Sequence, residues 1–539
     1  MPKNQIATLA LRIIVFCILP LYFIPAEADE KPDWIAGQPD GCTSITVGRK
    51  ATADSSVITS HTCDSHRTRS WLDIRAAQRF AVGAMQTMVK RTKYDSLAMP
   101  TYRHIPVGEI PQVRETFGYI NTAYPCMNDQ QLAIGESTFG GRESLHEPDL
   151  NLIDCQQLVH LMVQRCRTAR EAIQLARDLL AEYGWSDEGE CLTIADTREV
   201  WHLEIVGPGK GSKGAIWVAQ RVPDDHVAVN ANGSRIRRID LTKPDYYMAS
   251  ENVYQVAQDS GWWNPQNGPF EWVYAYAPES RTSMAARRRE WRVLDLLAPS
   301  LDLHPESENY PFSVKPDTLI TVAKLVEVFQ DWYQDTPYDI VKNITTTDDS
   351  GRVMISPLAN PWMPYDMLPL FKINGGWGAL GERQIARWYT MYATLTQSRD
   401  WLPDEVGGVV WLAFDNVASS IYVPLYCSIT DLPESYKTPG RVNGFTRESA
   451  WWAFNRLGTM AAQRWGDMRK DVWAVWQPMQ REMFDRQPAV EAEALSLLQS
   501  NSKKACKYLT DYSVDQGKKV VDRAWQLGDE LWTKYDEKF

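Results

Sequence analysis

The chain contains no Cys-x-x-Cys pair, no His-Glu-x-x-His segment and no complete Gly-x-Ser-x-Gly elbow. The first absence weakens zinc-ribbon and thioredoxin-like readings, the second a zinc-peptidase helix, and the third a serine α/β-hydrolase. The nearest approach to an elbow, Gly135-Glu136-Ser137, fails because Phe139 stands where the second glycine belongs. Positive charge is in deficit too. Against 68 Asp and Glu there are 57 Lys and Arg, a net charge of -11, whereas a nucleic-acid partner normally requires a basic stripe. No low-complexity tract or internal repeat occurs, and after the first thirty residues no apolar run is long enough to span a bilayer.

Cysteine is too scattered for a disulfide scaffold. Apart from Cys17, the thiols fall at 42, 63, 126, 155, 166, 191, 427 and 506. Cys155 and Cys166 share a helical pattern that separates them by about 16 Å along the axis, beyond disulfide reach. Few or no structural disulfides are expected.

What is present is an ordinary globular composition, 44% hydrophobic and 23% charged, in a chain of 539 residues that can bury a large core. The 22 tryptophans read as core and helix-packing residues. Lys3 and Arg12 flank the start of an apolar stretch, Ile13 to Leu19 and Leu21 to Ile24, which ends at Ala26-Glu27-Ala28. That arrangement predicts a signal peptide over residues 1–28, and hence an exported protein, periplasmic or extracellular, with no membrane association once the signal is removed.

From Cys42 to about Ile134 the pattern predicts strands and loops, with one helical stretch near Ile74 to Arg91. Helices follow over about Asp154 to Arg165 and from Thr168, where Thr168 and Glu171 form a capping-box pattern and Gly184 is the stop. Strand patterns return at 191–195, 200–206, 215–219 and 226–230. Strands, paired helices, then strands again predict an α+β layered fold, with residues 444–539 as a helical C-terminal extension.

One cysteine stands apart. Cys42 lies between Gly41 and the alternating run Thr43-Ser44-Ile45-Thr46-Val47, a half-buried strand pattern shortly after the signal. A structural cysteine needs no such place, but a nucleophile released as a new N-terminus does. Around it, Cys42-Thr43-Ser44, Val47 to Asp54 and Ser60-His61-Thr62-Cys63-Asp64 resemble the start of the C69 dipeptidases, N-terminal-nucleophile (Ntn) hydrolases related to penicillin V acylase and bile salt hydrolase. The likeness continues in order through Gln131 to Arg142, Ala195-Asp196, Glu199-Val200-Trp201, Pro311 to Asp317, Thr336 to Asp339, Gln397 to Pro403 and Ala450 to Asn455. Ser55 departs from the family's usual glycine after Asp54.

The resemblance implies a four-layer αββα sandwich over residues 42–443, a propeptide over 29–41 that Cys42 itself removes, and a cysteine-type dipeptidase needing no metal or cofactor. It implies that Cys42 is the nucleophile, that Asp64 holds its amine, that Asn232 donates to the oxyanion, and that Arg289 completes the catalytic group. Thr138 would sit near the acyl carbonyl. His61 stands where the acylase relatives carry arginine and is grouped with Thr138 as a substrate contact. The implied partner is a dipeptide substrate, and relatives that assemble leave a homo-oligomer open. Two competing readings are an acylase acting on non-peptide amides and a catalytically silent surface-binding protein of the same fold. The chemistry has its own logic: an N-terminal cysteine carries an α-amine of pKa roughly 7.7 to 8.0 as a built-in base for its thiol.

Overall fold

The computed structural model describes residues 40–94, 99–362 and 383–538. The expected signal peptide, residues 1–28, and all but the end of the expected propeptide, 29–41, lie outside the described residues. Strands β1 (Gly41–Val47) and β2 (Val57–Asp64) open the fold, followed by a long hairpin of β3 (Met85–Tyr94) and β4 (Thr101–Pro111), then β5 (Ala133–Phe139). Helices α1 (Cys155–Arg165) and α2 (Ala169–Tyr183) precede β6 (Gly189–Ala195), β7 (Val200–Val206), β8 (Ile216–Val222) and β9 (Val227–Asn230). Helix α3 (Met284–Leu297) is followed by β10 (Thr390–Ser398), β11 (Val409–Phe414) and β12 (Val423–Tyr426). Three helices close the chain: α4 (Ala450–Gln463), α5 (Trp465–Ser500) and α6 (Ser502–Tyr535).

The helical stretch expected near Ile74 to Arg91 is instead short strands and the first arm of the β3–β4 hairpin. Ten residues of β3 pair with β4, and β-branched Thr87, Val89 and Thr92 suit that pairing. Gly83, at φ 79°, turns the chain just before it. The two expected helices form with the expected stops. Asp154 caps α1 by accepting from Gln157 N, and Thr168 caps α2 by accepting from Glu171 N. Glu171 reaches back one residue further than a capping box requires, to Arg167 N. Gly184 ends α2 at φ 75°.

Two antiparallel sheets form the centre. One has seven strands, in the order Ser313–Val314, β9, β1, β2, β10, β11, β12. The other has eight, running from Tyr247–Ala249 through β8, β7, β6 and β5 to Met127–Asn128, Tyr119–Asn121 and Asp73–Arg75. The sheets meet face to face through small and hydroxyl-bearing residues. Thr59 Oγ1 lies 2.7 Å from Thr193 Oγ1, and Ser44 Oγ donates to Glu136 O at 2.9 Å. Helices α1 and α2 cover the eight-stranded sheet, while α3 and the C-terminal helices cover the seven-stranded one. β1 is therefore buried along its whole length, not half-buried as its alternation suggests. The C-terminal helices belong to the same compact unit as the sheets, and Arg399, just after β10, is tied to Glu491 of α5 at 2.7 Å.

Gly135 marks how close the sheets approach. A Cβ there would lie 2.3 Å from Ser60 O and 2.6 Å from Thr193 Oγ1, the first a backbone atom that cannot swing away. Gly135→Ala is expected to cost about 1–3 kcal/mol through overpacking, read as a lowered thermal midpoint. An unchanged midpoint would mean the sheets can slide apart without penalty.

The eight described cysteines are all free thiols. Among the described residues, no helix is long and apolar enough to cross a membrane.

Candidate active site

The site forms where the first residues of β1 meet the end of β2, the middle of β5 and the turn after β9. Register explains the grouping. Cys42 pairs with Cys63, so its neighbour Gly41 faces Asp64 across the ladder, and on the other side Ser44 pairs with Asn230, two residues before Asn232. Asn232 itself leaves the strand at φ 60°, with Gly233 next. Asparagine tolerates that left-handed conformation better than most residues, and the turn brings its amide back over Cys42.

Cys42 is held from several directions. Its N–H donates to Asn232 Oδ1 at 2.9 Å, and its carbonyl accepts from Arg289 Nη1 at 2.7 Å. Its thiol donates to Glu136 Oε1 at 3.0 Å. Burial first, and then the Glu136 carboxylate, push the thiol's pKa well above its ordinary value, so the buried sulfur carries its proton and needs a base in order to react.

Arg289 is fully buried, and its guanidinium binds the site together. Besides Cys42 O, Nη1 donates to Thr43 Oγ1 at 2.9 Å, and Nη2 donates to Ala231 O and to Asn232 Oδ1, both at 2.9 Å. Burial, and then Arg383, pull its pKa down to about 10, which still leaves it charged at neutral pH. Glu290 is pinned between Arg235, at 2.6 Å, and Arg281, at 3.1 Å, all three out of solvent.

Asp64 accepts from Thr390 Oγ1 at 2.7 Å through Oδ1. Its other oxygen is buried and has no hydrogen-bond partner among the described residues. Burial raises its pKa, opposed by Arg383, Thr390, Arg289 and Arg387 in turn. Thr138 is half-buried; its carbonyl accepts from Asn232 Nδ2 at 2.7 Å, while its hydroxyl donates to Glu190 Oε2 at 2.9 Å. His61 is buried with its Nε2 2.9 Å from Glu136 Oε1, edge-on to the rings of Tyr124 and Tyr392. The six residues singled out from the sequence thus lie in one neighbourhood: Cys42, Asn232 and Arg289 directly bonded, Asp64 opposite Gly41, Thr138 behind Asn232, and His61 linked through Glu136.

Glu136 and Arg383 escaped the sequence reading. The signal for Glu136 was a lone acid inside the strand pattern Ala133 to Phe139, a place where charge is costly to bury. Arg383 lies over Gly41, where an added Cβ would fall 1.9 Å from Nη1, and its Nη2 donates to Tyr389 OH at 2.6 Å. Among the described residues, two groups have donor atoms within 4.8 Å of one another, as metal binding would require: Cys42, His61 and Glu136, and Glu136, Cys155 and Glu190.

A buried thiol at the start of a strand paired on both sides, with its own amide nitrogen clamped by a turn asparagine, is an arrangement suited to acyl transfer. The profile of Peptidase family C69 matches residues 41–478, and the chain belongs to that family. It is 24% identical to a probable dipeptidase of Latilactobacillus sakei over 90% of this chain and 96% of that protein. It is 26% identical to the probable dipeptidase B of Lactococcus lactis subsp. lactis over 74% of this chain and 76% of that one. A probable dipeptidase of Salmonella dublin is 26% identical over 48% of this chain and 52% of its own length.

Proposed function

We propose that this protein is an exported dipeptidase of the Ntn-hydrolase type, acting through Cys42 after the chain ahead of it is removed. The observation that carries the proposal is the convergence on Cys42 of Asn232, which holds its nitrogen, and Arg289, which holds its carbonyl, with Asp64 facing Gly41 across the ladder. The C69 profile begins at residue 41, one residue before that thiol, and the dipeptidase names of the relatives supply the substrate class. The helix–sheet–sheet–helix layering supports the αββα sandwich.

Removal of residues 29–41 breaks the Gly41–Cys42 bond by attack of the Cys42 thiol on the Gly41 carbonyl, followed by hydrolysis of the resulting thioester. The nitrogen of Cys42 then becomes an amine next to Asn232 Oδ1, with Asp64 opposite the vacated Gly41 position and one carboxylate oxygen ready to accept from it. In turnover this amine takes the thiol proton, and sulfur attacks the carbonyl of the substrate's first residue. The second N–H of the Asn232 amide, beyond the one given to Thr138 O, stabilises the oxyanion. The C–N bond breaks, the leaving amine takes the proton from Cys42, and water hydrolyses the thioester to free the first amino acid. Arg289 positions both Cys42 and Asn232 and touches no reacting atom.

The test is the N-terminal residue and intact mass of protein purified from an exporting host, with hydrolysis of dipeptides measured beside penicillin V and conjugated bile acids. The expected result is a mature chain starting at Cys42 that cuts dipeptides alone. A chain that retains residues 29–41 under activating conditions overturns the mechanism, and preference for the non-peptide amides overturns the substrate.

A further inference from the structure

Among the described residues, Glu136 is the charged group hydrogen-bonded to the Cys42 thiol, and half of its carboxylate is unused. Oε1 takes the Cys42 thiol at 3.0 Å and lies 2.9 Å from His61 Nε2. Oε2 is buried and has no hydrogen-bond partner among the described residues. An acceptor on a buried carboxylate left in that state is costly and calls for an explanation, a bound ligand being one.

The neighbouring groups are already committed. Glu190 accepts from Ser137 N, Cys191 N and Thr138 Oγ1, and burial, then Glu136, then Asp187, raise its pKa well above normal. Arg91 is drawn to Asp187, at 3.4 Å, and Asp154, at 3.7 Å, and donates to Tyr124 OH. Burial works against the charge on Glu136, but His61 and the thiol outweigh it and hold its pKa below the usual carboxylate value. A fixed negative charge thus sits beside the sulfur, with an open oxygen.

In any substrate whose first residue is an unblocked amino acid, the α-nitrogen is two bonds, at most about 3 Å, from the carbon that sulfur attacks. We propose, resting on the dipeptidase reading above, that Glu136 Oε2 receives the free α-ammonium of the substrate's first residue and so restricts the enzyme to peptides with an unblocked N-terminus. The other oxygen is occupied by the Cys42 thiol at 3.0 Å and faces His61 Nε2 at 2.9 Å. In the uncut chain no ammonium reaches this position, because the residue ahead of Cys42 is joined through Asp40 by an ordinary amide, which accounts for the idle oxygen.

The test compares dipeptides beginning with alanine, leucine or phenylalanine with their des-amino counterparts, such as alanyl-alanine against propionyl-alanine, on protein whose N-terminus has been verified. The wild type is expected to favour the amino substrates by about 10²-fold or more in kcat/KM, since a site built for a polar group leaves its own charge unpaired when that group is missing. Because Glu136 also touches the Cys42 thiol, Glu136→Gln is expected to shift turnover of both substrate types, and the readout is their ratio: the roughly 10²-fold preference for the amino substrates in kcat/KM should fall to within about threefold. Glu136→Asp is expected to keep the preference. Equal loss on both substrate types in Glu136→Gln would assign Glu136 a structural or proton-transfer role and overturn the proposal. Wild-type enzyme that cuts propionyl-alanine as well as alanyl-alanine overturns it without any variant, and so covers the case in which Glu136→Gln does not fold or mature. Wild-type enzyme that cuts no dipeptide overturns the dipeptidase reading as well.

Discussion

Cys42→Ala is expected to stop both dipeptide hydrolysis and removal of the chain ahead of residue 42, lowering kcat/KM by at least about 10⁴-fold. Loss of a covalent nucleophile costs about 10⁶-fold in well-studied hydrolases, with residual rate from the remaining site. The fold should survive, because the substitution deletes a single buried sulfur and leaves β1 and its ladder intact; a thermal midpoint near that of the wild type checks this. Other thiols lie close enough to serve as controls. Cys63 pairs with Cys42 across the ladder and contacts Thr68 Oγ1 at 3.3 Å, and Cys155 groups with Glu136 and Glu190. Neither can acquire an amine of its own, so Cys63→Ser and Cys155→Ser should mature and stay within about tenfold of wild type, since neither supplies the nucleophile. Activity of Cys42→Ala within tenfold of wild type would place the nucleophile elsewhere.

Local chemistry was easier to read from the sequence than long-range placement. Helices α1 and α2 were legible because cap, apolar spacing and stop all fall within one short segment: Asp154 and Thr168 at the starts, Gly184 at the end. The segment from Ile74 to Arg91 misled because its strand character comes from partners further along the chain: Ile74 and Arg75 pair with Ile120 and Tyr119, Gln78 and Arg79 with Thr116 and Glu115, and Met85 to Arg91 with the second arm of the hairpin. The burial of β1 on both faces was invisible for the same reason. Its polar residues Ser44 and Thr46 on one face and Thr43 on the other look like partly solvated positions, yet they meet hydroxyls, carbonyls, His202 and Arg289 from other elements.

At the site, Cys42 could be found from its place after Gly41 at the start of a strand pattern, whereas Asp64 and Asn232 were reached through the resemblance to the C69 dipeptidases and their acylase relatives. Arg289 sits in a run of three arginines on α3, where spacing alone gives no reason to favour one of them. What separates it is direction: Arg289 reaches Cys42 O, whereas Arg288 donates to Pro305 O and Arg287 to Ser307 O. Glu136 lies 94 positions from Cys42 and meets it only because the two sheets close on each other.

Asn232 is the second residue whose loss should be severe, and its two amide atoms can be tested separately. Oδ1 holds the nitrogen of Cys42 and one guanidinium nitrogen of Arg289, whereas Nδ2 gives one hydrogen to Thr138 O. Alanine would confound the test by straining a backbone at φ 60°, so glycine is the cleaner deletion. Asn232→Gly is expected to lower kcat by about 10²- to 10³-fold, the usual loss of one oxyanion donor, with KM nearly unchanged. Asn232→Asp restores an oxygen towards Cys42 and Arg289 but removes the donor. If the donor is what the reaction uses, Asn232→Asp should be as slow as Asn232→Gly, even when both carry a free Cys42 terminus. Recovery of most of the rate in Asn232→Asp would instead make Asn232 a clamp for the Cys42 amine, and the oxyanion would have to draw its stabilisation from backbone N–H groups nearby.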